Sequence, residues 1–150
     1  MADLSLDMKI IVSLTYLFWP VLSVLFWRII IKNKDHRLKL VKTLIKDKLF
    51  NAIGRSNRIE YWLSLILIIN ANFILLIPNL LIFSLNVAII IIIFLVSYIL
   101  IILAGIRRLH DIGDSGWLYL LVQIFFPIGN VILGLFKGDE KENRFGPPSS

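Results

Sequence analysis

The sequence IRRLHDIGDSGW, residues 106–117, lies between two strongly apolar segments. Two arginines, a histidine and two aspartates stand within the eight residues from Arg107 to Asp114. Because charged side chains are costly inside a bilayer, we expect this stretch to lie at a boundary between membrane and water. The chain is 58% hydrophobic and only 17% charged, which is too apolar for a soluble domain of 150 residues.

Long apolar runs predict membrane spans, since about 20 helical residues cross the ~30 Å hydrocarbon layer. Three clear runs occupy residues 10–31, 61–83 and 87–106. A fourth, 117–136, is interrupted at Pro127, Gly129 and Asn130, which leaves open whether it spans or re-enters. Only internally hydrogen-bonded backbones are stable in lipid, so we predict an all-α integral membrane protein with three transmembrane helices and a fourth, broken segment.

Positive charge is concentrated after the first run. Ten lysines and arginines from Arg28 to Arg58 stand against two aspartates, a local charge of +8 in a chain of net charge +6. A basic block beside a span is typical of the cytoplasmic side and of an anionic lipid surface, which places the N-terminus outside. Nucleic acid is the rival partner of a basic patch, but we expect none because spans flank the block and no nucleic-acid motif is present.

Residues 32–52 contain a candidate cytoplasmic amphipathic helix. Its apolar stripe consists of Leu38, Val41, Ile45 and Leu49. Three lysines flank that stripe: Lys39, Lys42 and Lys46. We expect this helix to lie on the anionic cytoplasmic leaflet; the alternative is a solvated helix packed on its own protein.

Metal and thiol chemistry have little support. The chain has no cysteine and only two histidines, His36 and His110, so we expect no metal site and no cofactor. The string GDSG at 113–116 is found in serine-protease nucleophile loops, but that fold needs soluble β-barrels. We predict no catalytic residue.

The helical hairpin formed by the second and third spans should bring polar motifs to one membrane face. We predict either an ion-pair knot or a site for a lipid headgroup or other anion, with Glu60 pairing with Arg107 or Arg108. The candidate residues are Arg55, Arg58, Glu60, Arg107, Arg108, His110, Asp111, Asp114, Asn143 and Arg144.

Within the spans, Tyr61 and Trp62 are expected to belong to the aromatic belt at the interface. Ser97 and Ala104 form a predicted small-residue packing line in the third span. One polar face of the second span should contact other helices, and its members are Tyr61, Asn72 and Asn79.

Four motifs together resemble one family. They are GRSNRIEYW at 54–62, RRLHDIGDSGW at 107–117, Pro-Ile-Gly at 127–129 and NRFGP at 143–147. Their order resembles the bacterial inner-membrane domain-of-unknown-function 805 family, the YhaH-like proteins, over roughly residues 45–148. The resemblance implies a small multi-pass inner-membrane protein and brings no reaction, substrate or cofactor. We therefore divide the chain into an N-terminal tail with an extra span (1–31), the basic interfacial helix (32–52) and the family-like membrane domain (53–148).

The expected function is non-enzymatic. We predict a membrane scaffold or binding protein whose cytoplasmic basic cluster engages anionic lipid, a partner protein or a second copy of the chain. A small oligomeric transporter or channel is the alternative, because broken helices can line solute sites. An uncharacterised membrane enzyme ranks third.

Overall fold

The computed structural model describes residues 34–81, 87–126 and 128–149, together with Val21, Val24, Leu25 and Arg28. Across these residues the fold contains helices and no β-strand, which confirms the all-α prediction for this part of the chain. The predicted first span, 10–31, otherwise lies outside the described residues. The helices are α1 (Lys34–Thr43), α2 (Arg58–Leu81), α3 (Val87–Ile112), α4 (Tyr119–Ile124) and α5 (Ile128–Leu135).

Two short turns of other helical types extend this set. A π-helical turn, Leu44–Lys48, continues α1, and a 3₁₀ turn, Gly116–Leu118, leads into α4. Helix α2 begins at a capping box, in which the Asn57 Oδ1 accepts the N–H of Glu60 at 2.9 Å and the Glu60 carboxylate accepts the N–H of Asn57 at 3.1 Å. This reciprocal pair satisfies two donors that the first helical turn leaves free.

Helix α3 is longer than the sequence predicted. The expected end at residue 106 is wrong, because α3 runs through both arginines to Ile112. Gly113 stops it with a φ of +91°. The N–H of Gly113 bonds the His110 carbonyl at 3.2 Å, and the N–H of Asp114 bonds the Leu109 carbonyl at 2.9 Å, which is a Schellman cap. The motif is therefore mostly helix, since arginine and leucine favour helix and the charge of Arg108 is paired with Asp111 one turn later.

Helices α2 and α3 pack as an antiparallel hairpin. Asn72 Nδ2 donates to Ser97 Oγ at 2.8 Å, and the same Oγ donates to Asn72 Oδ1 at 3.0 Å. Ala104 is 1% exposed. The predicted contact faces are thus confirmed for Asn72, Ser97 and Ala104, while the side chain of Asn79 lies outside the described set.

The fourth apolar segment forms a short helical hairpin. Helices α4 and α5 have six and eight residues, or about 9 and 12 Å of length, well short of the ~30 Å of hydrocarbon. A Cβ at Gly129 would lie 2.4 Å from the Val122 carbonyl oxygen, so glycine lets the two helices approach closely. Both ends of the hairpin lie near the C-terminal end of α3, because Gly116 contacts Ile106 and Arg108 donates to the Phe136 carbonyl.

Aromatic side chains of α2 and α4 build the small core beneath this hairpin. Tyr61 is fully buried and donates to Asn130 Oδ1 at 2.9 Å, and Tyr119 donates to the same oxygen at 2.6 Å. Trp62 Nε1 donates to the Gly134 carbonyl at 3.2 Å. The predicted interface-belt position is therefore wrong for Tyr61, since its ring and hydroxyl are enclosed by protein.

Within the described part of the chain, two helices are long and apolar enough to cross a membrane, Arg58–Leu76 within α2 and Val87–Ile112. Only 6% of the most apolar stretch of α3 is buried in the protein. Large side chains such as Ile92, Phe94 and Leu95 are more than half exposed on it. The outer surface of α3 is thus an apolar surface that no described element covers.

Candidate functional site

Asp111 is the centre of a buried ionic cluster. Its Oδ1 accepts from Arg55 Nε at 3.0 Å, and its Oδ2 accepts from Arg108 Nη1 at 2.5 Å. The three side chains are between 0% and 6% exposed. One carboxylate on α3 therefore binds an arginine from its own helix and another from the loop before α2, 56 residues earlier.

The remaining guanidinium donors bind backbone carbonyls. Arg55 reaches the tail, where it donates to the carbonyls of Lys141 at 2.8 Å, Gly146 at 3.2 Å and Asp139. Arg108 donates to the carbonyls of Ser56 at 3.3 Å, Leu133 at 3.4 Å and Phe136. Hydrogen bonds of these two arginines thus connect three segments to the end of α3: the tail, helix α5 and the loop that precedes α2.

Glu60 does not pair with Arg107 or Arg108, and that prediction is wrong. Its carboxylate binds Lys48 Nζ at 2.7 Å and accepts the Ser149 hydroxyl at 2.7 Å. Lys48 also donates to the Arg55 carbonyl at 3.2 Å. Sequence reasoning missed Lys48, because nothing in the basic block separates it from its neighbouring lysines.

The NRFG turn of the tail docks on His110. The Phe145 ring stacks on the imidazole with centroids 3.8 Å apart and planes 9° apart, and the Arg144 guanidinium lies 4.7 Å from the Phe145 ring. Asn143 Nδ2 donates to the His110 carbonyl at 3.0 Å, and Arg144 donates to the Gly113 carbonyl at 3.2 Å. His110 Nδ1 faces the Gly54 carbonyl at 3.2 Å. The tail thus meets the end of α3, as re-entry of the fourth segment requires.

Eight of the ten predicted cluster residues come together, and two do not. Arg58 and Asp114 are exposed, and among the described residues neither forms an ion pair with the cluster. Both stand at helix boundaries, Arg58 at the start of α2 and Asp114 just after α3, where their charges stay in solvent. The members that meet are Arg55, Glu60, Arg107, Arg108, His110, Asp111, Asn143 and Arg144.

The lysine surface is separate from this cluster. Lys39, Lys42 and Lys46 are exposed, and Leu38 and Ile45 beside them are each 50% exposed. Leu44 is fully buried. The helix therefore docks on its own protein through Leu44 and Lys48 and leaves its lysines and part of its apolar stripe outside.

Outside the cluster, the tail carries only exposed charges. Hydrogen bonding from Lys137 lowers the pKa of Glu140, and both side chains are mostly exposed. Among the described residues, no group of three or more histidine, aspartate and glutamate side chains is arranged to hold a metal ion.

As far as the structure describes the chain, it is all-helical, with two helices long and apolar enough to cross a membrane and a buried arginine–aspartate cluster at the shared end of those helices. Residues 49–147 match the family described as Protein of unknown function (DUF805). The chain belongs to this family, which confirms the resemblance drawn from its motifs. A search of curated proteins found no match, and a search of solved structures found none.

Proposed function

We propose that this protein is a non-enzymatic, multi-pass protein of the bacterial inner membrane that binds anionic lipid at its cytoplasmic face. The observation that carries the proposal is the division of its surface. No described element covers the apolar outer side of α3, and next to the polar end of the hairpin α1 presents exposed lysines beside half-exposed apolar side chains. Such a surface suits a bilayer, with α2 and α3 in hydrocarbon and the lysines at the headgroups.

The buried cluster has a structural role in this proposal. Asp111 and backbone carbonyls already occupy most donors of Arg55 and Arg108, so these two arginines hold the protein together. Long-range attraction of anionic lipid falls instead to Lys39, Lys42 and Lys46, each contributing about 1 kcal/mol near a charged membrane.

The transporter alternative has less support. Asn72, which suggested a solute path, is bonded to Ser97 of the neighbouring helix. The Pro/Gly-broken segment packs as a hairpin on Tyr61 and Trp62. Both features serve helix packing in the described residues.

The test uses the full-length chain, which contains no cysteine. An environment-sensitive fluorophore on Leu38→Cys reports whether α1 touches lipid. In phosphatidylglycerol vesicles we expect a blue-shifted emission that salt reverses, since the screening length shrinks from ~30 Å at 0.01 M to ~3 Å at 1 M. In phosphatidylcholine vesicles the shift should be much smaller.

Two variants are compared: one removes three positive charges from α1, and its control removes two positive charges from the tail. Replacing Lys39, Lys42 and Lys46 by glutamine should abolish the shift, whereas replacing the exposed tail lysines Lys137 and Lys141 should leave it intact. Equal emission in both lipids would contradict the proposal.

A further inference from the structure

Arg107 has an unoccupied hydrogen-bonding edge inside the protein. Its side chain is 0% exposed, and its Nη1 donates to the Asn51 carbonyl. Its Nε and Nη2 are buried without a hydrogen-bond partner among the described residues. These two nitrogens form the edge of a guanidinium that grips two oxygens of one carboxylate or phosphate. In Arg55 the same edge is filled by the carboxylate and carbonyl of Asp111.

A second unsatisfied donor belongs to the same junction. Ser56 is fully buried, and its N–H donates to the Arg107 carbonyl at 3.1 Å. The Ser56 hydroxyl also has no partner in the described part of the chain. Buried polar groups are almost always hydrogen-bonded, so unsatisfied donors on two adjoining residues indicate a missing acceptor.

The charges of the cluster point to an anion. Arg55, Arg107, Arg108 and Lys48 carry four positive charges, whereas Glu60 and Asp111 carry two negative ones, so the described cluster has an excess of two positive charges. A closed ion-pair knot would balance its charges, because an uncompensated buried charge is strongly destabilising. Among the described residues, Arg107 has no acidic partner at hydrogen-bond distance, and the charge of Glu60 acts on it only at longer range.

The loop that holds Arg107 has the character of a lipid contact. Asn51, whose carbonyl accepts from Arg107, directly follows Phe50 and stands two residues before Ile53. These two side chains are 73% and 82% exposed. Large apolar side chains beside a cationic group suit a phospholipid, whose acyl chains and phosphate lie next to each other.

We propose that Arg107 binds the phosphate of one phospholipid through its Nε and Nη2, with the Ser56 hydroxyl as a further donor and Phe50 and Ile53 against the acyl chains. Because both nitrogens are enclosed, binding requires the loop that carries Asn51 to shift enough to admit the phosphate. This site deepens the proposed function. It rests on that proposal because it requires a membrane surface at this end of α3. It holds one lipid, in contrast to the lysine surface, which attracts many.

Native mass spectrometry of the full-length protein from detergent counts retained phospholipids. The wild type should keep one, Arg107→Gln should lose it, and Arg58→Gln, which changes an exposed arginine of the same region, should keep it. Delipidated protein is then titrated with phosphatidylglycerol or with inorganic phosphate while its thermal stability is followed. Without the paired Nε and Nη2 donors of Arg107, the ligand concentration needed for half-maximal stabilisation should rise at least tenfold. A single hydrogen bond to a charged group is worth about that factor in affinity.

A rise in stability with phosphatidylglycerol alone identifies a lipid, and an equal rise with inorganic phosphate identifies a free phosphate at the same oxyanion site. If Arg107→Gln does not fold, Arg107→Lys decides, because it keeps the charge and loses the fork. Equal lipid retention and equal stabilisation in wild type and the Arg107 variant would overturn the site. The variant lacking Lys39, Lys42 and Lys46 should keep its single lipid, so failure of the lysine surface and failure of this site are separate results.

Discussion

Removing the charge of Asp111 should destabilise the protein strongly. Asp111→Asn keeps the shape of the side chain but leaves Arg55 and Arg108, 1% and 0% exposed, without their counter-charge. Breaking a buried ion pair by removing one partner costs about 3–5 kcal/mol. For a chain of this length, that corresponds to a fall of roughly 10 °C in the melting temperature.

The assay is thermal unfolding in detergent, followed by the fluorescence of the four tryptophans. Asp114→Asn is the matched control, because it makes the same chemical change at an exposed aspartate and should alter the melting temperature by less than about 2 °C. The reasoning is refuted if Asp111→Asn melts with the wild type, or if the Asp114 variant loses as much stability.

Three other predictions test contacts around the cluster in the same melting assay. Gly105→Ala places a Cβ 1.9 Å from the Tyr119 ring, so we expect a loss of about 1–3 kcal/mol from overpacking and a smaller loss when the same change is made in a Tyr119→Ala background; a neutral Gly105→Ala would show that the helices are not in contact there. Glu60→Gln and Lys48→Gln should each destabilise, and the double variant should be less destabilised than the sum of the two, with a coupling of about 0.5–3 kcal/mol; additive losses would deny the ion pair. Asn130→Ala removes the oxygen that accepts from two buried tyrosine hydroxyls, which should cost about 1–3 kcal/mol, and an unchanged melting temperature would count against that hydrogen-bond pair.

Much of the hairpin could be predicted from hydropathy alone. The apolar runs at 61–83 and 87–106 gave α2 and most of α3, since length and polarity decide which segments can cross a bilayer. The meeting of residues from the GRSNR and RRLHD motifs followed from the return of an antiparallel hairpin to one end, whereas the position of the NRFG motif was left open because the fourth segment could either span or re-enter. These predictions depended on the hydropathy of each segment and on the order of the segments, which can be read directly along the chain.

The pairings within the cluster could not be predicted in this way. Glu60 had four arginines near the same end, and its pairing with Lys48 instead depends on the packing of the π-helical turn that contains the buried Leu44. The true length of α3 was missed because charge density suggested a loop, whereas Arg108 lies within the helix and donates to carbonyls of α5 and of the loop before α2. Acceptors that lie far away along the chain cannot be recognised from the residues next to an arginine.

The burial of Tyr61 was missed for a related reason. A tyrosine beside a tryptophan at the end of an apolar run is typical of an interface belt. Here the α4–α5 hairpin covers Tyr61, and Asn130 supplies its hydrogen-bond partner. Whether that hairpin folds back depended on Gly129, whose missing side chain permits contact with the Val122 carbonyl.

The central claim is that the ends of α2 and α3, the end of the α4–α5 hairpin and the tail share one membrane face, on the cytoplasmic side. Single cysteines at Asn86, Asp114 and Glu142 in the otherwise cysteine-free chain, labelled with an impermeant maleimide in intact cells, test it directly. We predict labelling at position 86 alone, with positions 114 and 142 reacting only after permeabilisation. Labelling of 142 together with 86 would place the tail on the opposite face from residue 114 and contradict the account, and labelling of 114 in intact cells would reverse its orientation.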